Sequence, residues 1–173
     1  MNLTLEMIYD LPNKVIENST LYDGQVARIP DKICKEYKIN EIKPKLFYMF
    51  TKFNSIKFYY NVATEELIKI TSSYDIKDYE SQRNTDSKIE TVVMEKYDKM
   101  IWASKFYDSV ISLSKGLTKQ EGIYLAYGIM SSKTIDDIAL MMDVCPRTVN
   151  PIGKSCIIKS WNALETFYEE VRK

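Results

Sequence analysis

Apolar positions along this chain keep two different rhythms. In the second half they recur every three or four residues, as on one face of a helix. Ser87, with Glu90 three residues on, supplies a reciprocal capping pair. Ile89, Val92, Val93, Tyr97, Met100, Trp102, Phe106, Val110 and Leu113 then form a broad apolar face, on which Lys96 must point outward, and Gly116 ends it. Thr118 and Glu121 repeat the cap ahead of "KQEGIYLAYGI". Thr134 caps "IDDIALMM", whose Asp136 and Asp137 suit the positive start of a helix. There Ile135, Ile138, Ala139 and Met142 make an inward stripe. After a tight turn at Asp143-Val144-Cys145 comes "PRTVNPIGKSCIIKSWNALETFYEEV", locked across the first helix by Val144 and Val149. A small residue where two helices touch, an apolar turn residue and an apolar plug are what a helix-turn-helix requires. Trp161, Leu164, Phe167 and Tyr168 continue the helical spacing as core or pairing surface.

The first half has a different texture. "QVARI" alternates like a short strand and stops at Pro30, which suits the first turn of a helix over "DKICKEYKI". Beyond Pro44, "KLFYMFT" and "SIKFYYN" are aromatic and β-branched runs separated by "KFN", which predicts a hairpin. Phe47, Tyr48, Tyr59 and Tyr60 fit its core better than they fit a stacking platform for bases. The serine-rich, polar "TSSYDIKDYESQRNTD" reads as a linker. The expected fold class is therefore α+β. An arm over 1–14 precedes a small β domain over 15–62, a linker over 63–86 and an all-α domain over 87–173.

Net charge is zero, which disfavours a binder that relies on bulk charge. The charge is unevenly spread: residues 24–62 carry eight Lys/Arg against three acids, and 144–160 hold Arg147, Lys154 and Lys159 with no acid. Two basic patches on a neutral chain point to oriented contact with a polyanion. No apolar run approaches the length of a membrane span, and the N-terminus lacks the pattern of a signal peptide. Three widely spaced cysteines and no histidine exclude a Cys/His zinc site and disfavour a disulfide framework. The expectation is a reduced, cytoplasmic protein without cofactor or metal.

The Gly-Lys-Ser at 153–155 raises the question of a phosphate loop. That motif needs a glycine five residues earlier and a strand in front, and Thr148 and a helix stand there instead. As a recognition helix, the segment puts Cys145 at the cap and Pro146 at the first helical position. Pro151 falls in the second turn, where it costs ~3 kcal/mol. Either the helix kinks there or a new helix starts after Asn150. In both cases Arg147 can grip guanine and Asn150 can pair with adenine. Thr148, Lys154, Ser155 and Lys133 hold phosphates, and Gly153 gives room for close approach. With neither histidine nor phosphate loop, and with acid pairs explained by helix starts, no enzymatic activity is expected.

Two family resemblances extend this reading. "DGQVARIPDKICKEYKI" with an aromatic hairpin after it resembles the AbrB-like swapped-hairpin domain, over about residues 15 to 62. That resemblance implies an obligate dimer with DNA contacts at Gln25, Arg28, Cys34 and Lys35. Gln25 and Cys34 stand where the family often has arginine, and Lys38 where it has glycine. "LTKQEGIYLAYGIMSSKTIDDIALMMDVCPRTVNPIGKSCIIKSWNALE" resembles sigma-factor region four, in the version found in phage late-gene activators of the ArpU and RinA type. It implies a sequence-specific, double-stranded DNA-binding transcription regulator, homodimeric, with RNA polymerase as a further partner. A phage small terminase subunit and an AbrB-like antitoxin are the alternatives.

Overall fold

The computed structural model describes the backbone of residues 3–19, 29–72 and 82–172, and their side chains outside 58–93. Seven α-helices and one π-helical turn follow one another, and no strand runs among the described residues. The fold is all-α, which corrects the expected α+β class and removes the swapped-hairpin domain.

The correction rests on α3 (Ile39–Ser72), one helix that passes through both expected hairpin strands and the turn between them. Ile42, Leu46, Met49, Phe50, Phe53 and Ile56 are all buried. Their spacing of three and four is a helical stripe, whereas strand alternation would have grouped 46, 48 and 50. Tyr48, on the other side, is exposed. The aromatic and β-branched content reflects the bulk of the core that this helix fills, and tertiary packing overrides β-propensity. Pro44 lies inside the helix, so the burial that follows outweighs its missing hydrogen bond. The "QVARI" strand falls largely on residues 25–28, outside the described residues.

Before it, α1 (Leu5–Asn18) starts at Thr4, whose hydroxyl accepts from the Met7 N–H at 3.3 Å. This helix begins in the segment expected as an arm, runs past its end, and buries Ile8, Leu11 and Val15. The short α2 (Asp31–Glu36) joins α3 through Lys38, which adopts a left-handed backbone with φ of 48°. α4 (Gln82–Ser114) begins ahead of Ser87 and returns along the body. Its Phe106 is the hub of an aromatic cluster: Trp102 stacks on it at 5.0 Å, and Phe50, Phe53 and Phe167 meet it at 5.2 to 5.6 Å.

α5 (Lys119–Ile123) opens on the expected reciprocal cap between Thr118 and Glu121. It widens into a π-helical turn (Tyr124–Ile129), in which the Met130 N–H reaches back five residues to Leu125. α6 (Ile135–Met142) and α7 (Pro146–Arg172) complete the chain. α7 is the central element and touches α3, α4, α5, α6 and the π-helical turn. One hydrophobic cluster joins all the helices except α2, which buries nothing. Among the described residues, no helix is long and apolar enough to cross a membrane.

Candidate functional site

The site is the helix-turn-helix formed by α6 and the start of α7. Thr134 accepts from the Asp137 N–H at 3.2 Å, and Asp137 accepts in return from the Thr134 N–H at 3.3 Å. Hydrogen bonds from the Thr134 hydroxyl and then from its backbone N–H hold the Asp137 carboxyl below its usual range. Asp143 ends α6 in a left-handed conformation, φ 54° and ψ 49°, which a short polar residue tolerates. The Val144 N–H then closes on the Ala139 carbonyl at 3.0 Å. Ile138, Ala139 and Met142 are buried under Val149 and Ile152, with Val144 packed at their edge. The angle between the two helices is set by these apolar contacts and not by polar ones.

α7 runs unbroken from Pro146, with Pro151 inside it. Cys145 holds the cap position, its carbonyl accepting from the Thr148 N–H at 2.9 Å. Arg147, Thr148 and Asn150 are exposed, and so is Lys133 ahead of α6. Lys154 is half-exposed, with its ammonium 3.8 Å from the Asp31 carboxylate. Arg147, Asn150, Pro151 and Lys154 occupy one side of the helix at spacings of three and four. They line a cleft of about 360 Å³ whose other wall is Ile29 and Asp31.

Two of the expected contributions turn inward. Ser155 is buried, and its hydroxyl donates to Glu121, which takes it away from any phosphate. Gly153 is also buried, and a Cβ there would lie 2.6 Å from the Tyr124 ring. The close approach that glycine permits is between α7 and the π-helical turn. Lys159, counted in the acid-free stretch, is paired with Glu121 at 2.8 Å. Burial pushes the Glu121 carboxyl up, but hydrogen bonds from Lys159, Ser155 and the Thr118 N–H, with the Lys159 charge, hold it below the usual range. This buried carboxylate ties α5 to α7 and fixes the rotation of the candidate reading helix.

Elsewhere, Lys35 is exposed on α2, while Cys34 is half-buried with its sulfur 3.9 Å from the Ile29 carbonyl. Gln25 and Arg28 lie outside the described residues. The helix-turn-helix thus brings together Arg147, Thr148, Asn150 and Lys154, with Lys133 on the connection before α6. Sequence reasoning missed Asp31 and Ile29, whose proximity to α7 is a contact between segments more than a hundred residues apart. Cys34, Cys145 and Cys156 are unpaired thiols, and among the described residues no group of three or more His, Cys, Asp or Glu could hold a metal ion.

Compared with protein-family models, with curated proteins and with solved structures, the chain finds no match in any of the three. With no family match, and with α3 in place of the hairpin, neither family resemblance is retained.

Proposed function

We propose that this chain is a sequence-specific, double-stranded DNA-binding regulator of transcription. The observation that supports the reading most is the stripe of Arg147, Asn150 and Lys154 at the N-terminal end of α7, which buried packing against α6 holds in one orientation. A helix of about 10–12 Å diameter fits a major groove about 12 Å wide, so such a stripe can reach base edges. Arg147 is suited to the two acceptors of guanine and Asn150 to the acceptor and donor of adenine. Thr148, Lys154 and Lys133 are suited to phosphates, which set register without reading sequence. A pair of chains would carry two such helices and read two half-sites about one helical turn apart.

The test is footprinting on DNA upstream of the protein's own locus. Each base contact is worth ~1–3 kcal/mol of discrimination. An Arg147→Ala, Asn150→Ala double variant should therefore lose specific binding by at least about thirtyfold and keep its helical content. Undiminished protection by that variant would remove these residues from the interface.

A further inference from the structure

We infer that α2 is a strap standing along one edge of the reading face of α7, one that DNA must displace. The inference rests on the DNA-binding reading above and concerns how that face is regulated.

Arg147, Asn150 and Lys154 continue along α7 into Trp161 and Tyr168 on the same side of the helix. The C-terminal part of this stripe is already covered: Lys45 of α3 lies over both the Trp161 and Tyr168 rings, at 5.3 and 5.4 Å. α2 stands beside the N-terminal part of α7, meeting it at its two ends and leaving Arg147 and Asn150 exposed. Its Tyr37 end shares a cleft with Trp161, and its Asp31 end faces Lys154 at 3.8 Å. Asp31 and Ile29 form the wall opposite Arg147 and Asn150. A major groove about 12 Å wide closes around an inserted helix, so α7 cannot seat its stripe there while a second segment walls its edge.

α2 is also built to come away. Its six residues are too few to be a stable helix alone. None of them is buried, and Pro30 caps it without a side-chain hydrogen bond. The link to α3 passes through Lys38 in a left-handed conformation, an unfavourable backbone for a residue with a Cβ. What holds the strap at its outer end is an exposed ion pair, Asp31 with Lys154. Phosphate groups offer Lys154 a denser negative charge than one carboxylate, so they compete for the same ammonium.

Hydrogen exchange of the full chain, alone and with sonicated mixed-sequence duplex DNA, tests this. Amides of 31–38 should exchange about two- to fivefold faster when DNA is bound, while those of 147–155 other than Pro151 slow. Slower or unchanged exchange over 31–38 in the bound state would overturn the strap and make α2 part of a fixed interface. Without DNA, Asp31→Asn and Lys154→Gln should each speed exchange over 31–38. If both leave it unchanged, the contact holds nothing and the inference fails. Absence of any effect of DNA on 147–155, with both variants still acting on 31–38, would instead count against DNA as the ligand that opens it.

Discussion

Gly153 and Glu121 show how single residues set the orientation of the candidate reading helix. At Gly153 an added methyl would meet the Tyr124 ring at 2.6 Å, so helix and ring must part. Gly153→Ala should cost ~1–3 kcal/mol in urea unfolding, and less in a Tyr124→Leu background, where the obstacle is gone. Equal cost in both backgrounds would place the strain elsewhere. Glu121 is buried against Ser155 and Lys159, and its carboxyl is held below the usual range. A lowered folded-state value means stability that is present above the unfolded value and lost as pH falls through the folded one. At neutral pH Glu121→Gln should therefore cost ~1–3 kcal/mol. The gap to wild type should narrow below about pH 4, and a gap independent of pH would contradict the ionised pair. Neither partner was visible in the sequence, because Tyr124 and Gly153, or Glu121 and Ser155, are some thirty positions apart. There, Gly153 read as room for a close approach to DNA and Ser155 as a phosphate contact. The cap of Thr118 with Glu121 was legible because both halves lie within four residues, and Thr134 was legible as a cap, though its return bond from Asp137 was not.

Among the elements, α3 is where composition and spacing disagreed and spacing won. Its aromatic run carries high β-propensity, yet Leu46, Met49, Phe50, Phe53 and Ile56 form a helical stripe and are buried. Substitutions distinguish the two arrangements. Met49→Ala and Phe53→Ala should each cost ~2–5 kcal/mol in denaturant unfolding, as buried side chains do. Tyr48→Ala and Lys52→Ala, at exposed positions, should stay within about 1 kcal/mol. An alternating pattern, with 48 and 50 costly together or 49 and 53 both mild, would restore a strand. α6 and the turn after it were legible as a helix and a turn, since apolar spacing and the Thr134 cap agree there. Pro151 allows a kink or a restart; the helix does not restart there, and Val149, Ile152 and Cys156 are buried on either side of it. α2 was recognised as a helix, but its position against α7 could not be read locally.

For the whole molecule, the sequence divides into two textures that the fold does not keep apart. α1 and α3, from the first half, pack into the same core as α4 and α7 from the second. The all-α result follows from that shared core: a hairpin over 45–61 would have left the Phe106 cluster without Phe50 and Phe53. The exposed stripe on α7 stands on this core, and the proposal of DNA reading stands on the stripe. The most direct measurement is selection of duplexes from a random-sequence pool by the purified full chain. The wild type should converge on a shared sequence, and the Arg147→Ala, Asn150→Ala variant should not. A wild-type pool that stays random, or a variant that selects the same sequence, would contradict the account.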